Sequence, residues 1–142
     1  MKALFVDTAG WMMLADEGDP QHANARSFRD EWLASAGILV SSNFVMDETL
    51  TLIRMRLGLD AAERWWEQVD GSPRVHWEWI DPARSEKARH WFFRWRDKDF
   101  SFTDCSSFVV MKERRLRAAL TNDRHFAQAG FQLCPRPQRR RG

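Results

Sequence analysis

Four carboxylates occupy positions from which one site could be assembled. Asp7 follows the apolar run Leu4-Phe5-Val6, and Glu48 lies in a helical pattern that follows Ile38-Leu39-Val40. Asp104 opens another helical pattern, and Asp123 comes just after Ala118-Ala119-Leu120. Residues that follow parallel strands collect at the carboxyl edge of an open α/β sheet, which is where such sheets bind ligands. Carboxylates about 5 Å apart repel by roughly 3 kcal/mol per pair at an effective dielectric near 20, so a cluster of four takes up protons or cations. All four are hard oxygen donors, and no Cys or His stands at metal-ligand spacing, which points to Mg²⁺ or Mn²⁺. A pocket holding one or two such ions can hydrolyse a phosphodiester with water as the nucleophile and needs no nucleophilic side chain. Asp7 and Asp104 are the expected direct ligands. Glu48 and Asp123 would bind directly, bind through water, or position the attacking water.

Each acid also has a purely structural reading. Asp7 and Asp123 precede helical segments as N-caps do, and Asp104 stands three residues after Ser101, the capping-box spacing. Glu48 could be an exposed helical residue, with Asp47 an equally acidic neighbour. Caps occur at both edges of a domain, whereas these acids all map to one edge, and that coincidence favours a site.

The elements that must position them alternate. Strands are expected at Lys2–Val6, Ile38–Ser41, Val75–Ile80, Ala118–Thr121 and Phe131–Cys134. Helices are expected over Thr8–Glu17, from Pro20 towards Gly37, and from a Ser42 or Asn43 cap to Leu57, ended by Gly58. Asp60 is expected to cap the next helix. Two more run from Asp81-Pro82 through Arg96 and over Thr103–Arg115, and a short one covers Asp123–Ala129. Val75, Trp77 and Trp79 alternate with His76 and Glu78, as in a half-buried strand near an edge. Strands alternating with helices predict an α/β fold, a mainly parallel sheet of four to five strands covered on both faces. The chain reads as one domain over 1–134 with a basic, disordered tail over 135–142, PRPQRRRG.

The net charge of +2 conceals an asymmetry: residues 1–111 carry 13 Lys/Arg against 18 Asp/Glu, residues 112–142 carry 9 against 2. An acidic cleft on an otherwise basic body suits an enzyme that works on nucleic acid. The longest apolar runs fall well short of the roughly 18 residues of a membrane span, and Asp7 interrupts any secretory leader. Two cysteines without knuckle spacing suggest reduced thiols and a cytoplasmic protein.

The words around the acids resemble a known family. FVDTAGWM (5–12), SSNFVMDETLTLI (41–53), DKDFSFTDCSSFVVM (97–111) and TNDRHFAQAGF (121–131) resemble the PIN-domain family, and within it the VapC-type toxins of bacterial toxin–antitoxin modules. The four segments follow the family's order and leave only the tail unaccounted for. The resemblance implies a three-layer α/β/α sandwich and a Mg²⁺- or Mn²⁺-dependent endoribonuclease. It implies an acidic quartet of Asp7, Glu48, Asp104 and Asp123, selecting Glu48 over Asp47, with Thr8 and Thr121 as supporting hydroxyls. It further implies a homodimer, an RNA substrate and a cognate antitoxin protein.

Other features are less specific. Trp91 and Trp95, with Ala88 and Phe92, form a stripe that suits either a core face or a partner surface, with Arg89, Arg94 and Arg96 around it. Arg114, Arg115 and Arg117 end a helix whose dipole favours them. Cys105 reads as a small buried thiol, and His125 as an optional proton donor beside Asp123. Competing functions are a DNA flap nuclease with the same chemistry, and a non-enzymatic interaction or regulatory domain with a structural cation in its acidic pocket. A phosphate-accepting receiver would need a lysine after Ala118–Thr121, and none is there. No glycine-rich phosphate loop is present either.

Overall fold

The computed structural model describes residues 2–136. From residue 137 onward the expected basic tail lies outside the described residues. Five strands, β1 (Ala3–Val6), β2 (Ile38–Ser42), β3 (Val75–Glu78), β4 (Ala118–Leu120) and β5 (Gln132–Cys134), form one sheet in the order β3-β2-β1-β4-β5. Every pairing is parallel. The helices are α1 (Thr8–Ala15), α2 (His22–Ala34), α3 (Asn43–Leu57), α4 (Leu59–Val69), α5 (Pro82–Arg94), α6 (Phe102–Glu113) and α7 (Arg124–Gln128). None is long and apolar enough to cross a membrane.

The apolar runs are continuous because the inner strands are covered on both faces: Leu4, Phe5, Val6, Leu39 and Val40 are all buried. On one face Trp11 of α1 packs against Trp65 of α4 and Trp77 of β3, with ring centroids 5.5 and 6.0 Å away. On the other, Phe5 stacks on Phe126 of α7, which meets Phe108 of α6 edge to face at 5.0 Å. Helices on both sides of a parallel sheet make the expected three-layer α/β/α sandwich. The Trp11–Trp65–Trp77 cluster takes three of the eight tryptophans into packing, while Trp79 and Trp95 stay exposed. Trp11 also donates its ring N–H to Ser41, whose hydroxyl donates to the Val6 carbonyl, so the cluster pins the ends of β1 and β2 together.

Chain order explains where a site must lie. From β1 the chain steps outward to β2 and β3, then crosses back to β4 and β5 on the other side of β1. The two halves diverge between β1 and β4, the topological switch point, whose carboxyl edge forms a crevice. The register sets Val6 beside Leu120, so the next residues, Asp7 and Thr121, flank that crevice.

Boundaries differ from expectation in a few places. Asp60 sits in the first turn of α4 instead of capping it, because Gly58, with φ of 100°, both closes α3 and opens α4. The third strand stops at Glu78, because β2 ends opposite it at Ser42, and α5 stops at Arg94 with Trp95 as its cap. The expected edge placement of Val75–Glu78 holds.

Candidate active site

The four acids are delivered by four different elements. Asp7 ends β1 and caps α1, where its Oδ1 accepts from Gly10 N–H at 2.8 Å. Glu48 lies on α3, whose cap is Ser42 at the end of β2. Asp104 is the third residue of α6 and completes a capping box with Ser101: its Oδ2 accepts from Ser101 N–H at 3.1 Å, while Ser101 Oγ accepts from Asp104 N–H at 2.9 Å. Asp123 caps α7 by accepting from His125 N–H at 2.9 Å. The capping roles read from sequence are therefore real, and they coexist with clustering. A cap engages one of the several acceptor positions of a carboxylate, and the positive end of a helix dipole favours the charge there.

All four acids line one cavity of about 260 Å³. Thr8 lines it as well, and Asp47 does not, so the choice of Glu48 over its neighbour has a geometric basis. Thr121 stands behind the wall. Its hydroxyl donates to Asp7 Oδ2 at 2.8 Å and accepts from Asp123 N–H at 2.9 Å, tying two of the acids to one side chain. Thr8 Oγ1 is buried with no hydrogen-bond partner among the described residues. An orphaned hydroxyl on the wall of an acidic cavity calls for a guest that accepts or donates there.

Electrostatics agree with the geometry. Burial pushes Asp7 up to about 8, against the pull of the Gly10 and Thr121 hydrogen bonds and with further push from Asp123 and Asp104. Burial also raises Asp104, as does the Asp123 charge, with Ser101 and His125 opposing. Burial makes the bare anions unfavourable here, and a bound cation would relieve them. Asp104, Asp123 and His125 offer ligand atoms that all lie within 4.8 Å of one another. His125 Nδ1 sits 3.0 Å from Asp104 Oδ2 and 3.3 Å from Asp123 Oδ1, between the two acids instead of beside Asp123 alone. The hard-oxygen donors and the orphaned Thr8 hydroxyl fit a divalent cation. Cys105, next to Asp104, does not join them: its side chain is fully buried, and burial with the Asp104 charge pushes its thiol up to about 11.

The sequence reading missed several wall residues. Among the described residues Arg56 is the one Lys or Arg that lines the cavity, and it follows Glu48 and Leu52 at successive four-residue intervals on α3, so helical spacing from Glu48 would have found it. Asp19, from the turn between α1 and α2, and Asn122 also line the cavity. Their turn context carried no signal for that role.

A switch-point crevice in a parallel five-stranded sheet, walled by acids on α3 and α6 and at the N-caps of α1 and α7, defines a class of protein. Residues 4–132 match the PIN domain, and the chain belongs to that family. It is 33% identical over 128 residues to the 23S rRNA-specific endonuclease VapC20 of Mycobacterium tuberculosis, an alignment covering 90% of this chain and 95% of that protein. Ribonuclease VapC26 of the same organism is 28% identical over 127 residues, covering 87% and 90%. The crystal structure of VapC20, described as a Sarcin-Ricin loop cleaving toxin, matches with a TM-score of 0.80 at 32% identity, covering 90% of this chain and 95% of that one.

Proposed function

We propose that this chain is an endoribonuclease, the toxin of a toxin–antitoxin pair, that hydrolyses RNA with Mg²⁺ or Mn²⁺ held by Asp7, Glu48, Asp104 and Asp123. The observation that carries the reading is the convergence of these carboxylates on one cavity at the switch point. Homology to proteins named as a 23S rRNA-specific endonuclease and a ribonuclease supports RNA as the substrate.

When bound, the cation supplies a water of lowered pKa and positive charge against the scissile phosphate. The residues of the chain do the rest. Gly10 N–H and the Thr121 hydroxyl fix the rotation of Asp7. Ser101 N–H and His125 fix Asp104. Each carboxylate keeps acceptor capacity beyond these bonds. Arg56 at the rim attracts the phosphate backbone into a cavity that is otherwise acidic.

The reading extends to a single nuclease domain over 1–134, a cytoplasmic setting where RNA is met, a cognate antitoxin and a homodimer. Exposed Met55, Leu59, Trp79 and Phe93 are apolar surface of the kind that protein partners cover.

The test is end-group analysis of RNA cut by purified protein with Mn²⁺ or EDTA. The expected products form only with metal and lack 2′,3′-cyclic phosphate, because water and not the 2′-hydroxyl is the nucleophile. Cyclic ends, or cleavage in EDTA, would refute the assignment. The name of VapC20 makes 23S rRNA the first substrate to try.

A further inference from the structure

Helices α5 and α6 form an antiparallel hairpin with an unusual outer face. Arg84 and Lys87, near the start of α5, reach Glu113 at the end of α6 at 2.9 and 3.0 Å. The end of α5 therefore lies beside the start of α6, and Trp95, which caps α5, stands at the same end of the hairpin as Asp104. Between the two helices runs a groove of about 550 Å³ whose walls include Trp91, Trp95, Arg94 and Lys112.

Its chemistry is cationic and aromatic together. Among the described residues Glu113 is the one carboxylate on its walls, and two cations already match it. Arg94 and Lys112 are exposed and have no carboxylate within salt-bridge distance among the described residues. Each lies against a ring instead: Arg94 is 5.6 Å from the centre of Trp95, and Lys112 is 5.4 Å from that of Phe131. Trp91 is half-buried against Phe108, so its ring is fixed while one side stays open to the groove. Past Lys112 a second groove of about 490 Å³ continues with Arg115 and Arg117. A fixed ring beside unpaired cations is the surface on which single-stranded nucleic acid stacks its bases and rests its phosphates.

We propose that the α5–α6 groove binds the RNA strand outside the cavity, Arg94 and Lys112 meeting phosphates and Trp95 with Trp91 receiving a base. The proposal rests on the ribonuclease reading and adds to it a binding surface for the strand outside the cavity. Val109, on the groove wall, stands five residues from Asp104 on α6, about 140° around the helix, so the groove and the cavity lie on different faces of one helix.

The test is fluorescence anisotropy of fluorescein-labelled single-stranded RNA of mixed sequence, titrated at several salt concentrations with protein carrying Asp104→Asn, which removes cutting. The double change Arg94→Glu with Lys112→Glu weakens binding at least about tenfold. It also makes the dependence of log K on log salt shallower by about 1.4, the loss of two phosphate contacts on a single strand. Trp95→Ala weakens binding by about tenfold. All three side chains are exposed, so the thermal midpoint should match the parent's and confirm the fold. Unchanged affinity in these variants, with a parent that binds RNA, overturns the groove and leaves the nuclease standing. A parent that binds no RNA, alongside wild type that cuts none, overturns the nuclease and the groove with it. Variants that keep RNA affinity but lose the antitoxin would assign the face to protein and overturn the proposal.

Discussion

The Thr121 hydroxyl donates to Asp7 Oδ2 at 2.8 Å across 114 residues of sequence, and Thr121 Oγ1 in turn accepts from Asp123 N–H at 2.9 Å. One side chain thus fixes two acids that come from either side of the switch point. Replacing it with valine keeps the shape and removes both bonds. Thr121→Val should cost about 1–3 kcal/mol, because a buried donor and a carboxylate lose their partner. The Thr121 bond holds Asp7 down, so the Asp7 pKa rises further and the acid limb of the activity profile moves to higher pH. Cleavage at neutral pH should fall by roughly 10–100-fold, as for other groups that orient ligands. Urea unfolding and a pH–rate profile measure the two effects. An unmoved limb would detach Thr121 from the site.

Asp7 also predicts how the metal-free protein responds to pH. Its folded pKa, pushed by burial to about 8, stands above the ordinary 3.8. Between those values the folded state holds a proton that the unfolded state has released, so stability falls as pH rises through this window. Thermal midpoints in EDTA should therefore decline from about pH 4 to about pH 8. The decline should be smaller in Asp7→Asn. Added Mn²⁺ should raise the midpoint most at the alkaline end, where it meets the least competition from protons. A metal effect that shrinks as pH rises would contradict the account.

Gly10 shows how tightly α1 is set against the sheet. A Cβ placed there would stand 2.0 Å from the Leu120 carbonyl oxygen and 2.9 Å from Val6 Cγ1, so the helix would have to move off β1 and β4. Because Gly10 N–H also holds Asp7, the displacement reaches the site. Gly10→Ala should destabilise the fold by about 1–3 kcal/mol and lower cleavage in the surviving folded protein. Wild-type stability in this variant would show that the contact is looser than described.

Much of the arrangement was legible because periodicity and capping agree locally with the fold. The continuous apolar runs of β1 and β2 announced inner parallel strands, and Asp7, Ser42, Ser101 and Asp123 announced helix starts that the structure contains. What the sequence concealed depends on contacts between distant segments. The Trp11–Trp65–Trp77 cluster joins three elements, and no local pattern distinguishes its rings from those of a surface stripe. The stripe Ala88, Trp91, Trp95 is divided by packing: Ala88 is buried, Trp91 half-buried and Trp95 exposed. Sequence places His125 beside Asp123, but its bond to Asp104 spans 21 residues and follows only from how α6 and α7 meet. Asp60 lies inside α4 instead of capping it because Gly58, in a conformation that favours glycine, serves both helices.

Adjacent acids on α3 supply an internal control. Glu48 lines the cavity and Asp47 points elsewhere, although both are exposed and one residue apart. Glu48→Gln should lower metal-dependent cleavage by roughly 10–100-fold, while Asp47→Asn stays near wild type. Calorimetric titration with Mn²⁺ should separate the pair in the same sense. Equal effects would remove Glu48 from the site.

The most direct measurement incubates antitoxin-free protein with total RNA, in Mg²⁺, in Mn²⁺ and in EDTA, beside Asp104→Asn purified identically. The account predicts discrete fragments with either metal, none in EDTA and none from Asp104→Asn, with the variant's circular dichroism unchanged. Cleavage that persists in Asp104→Asn, or a folded, metal-binding wild type that cuts no RNA, would contradict it.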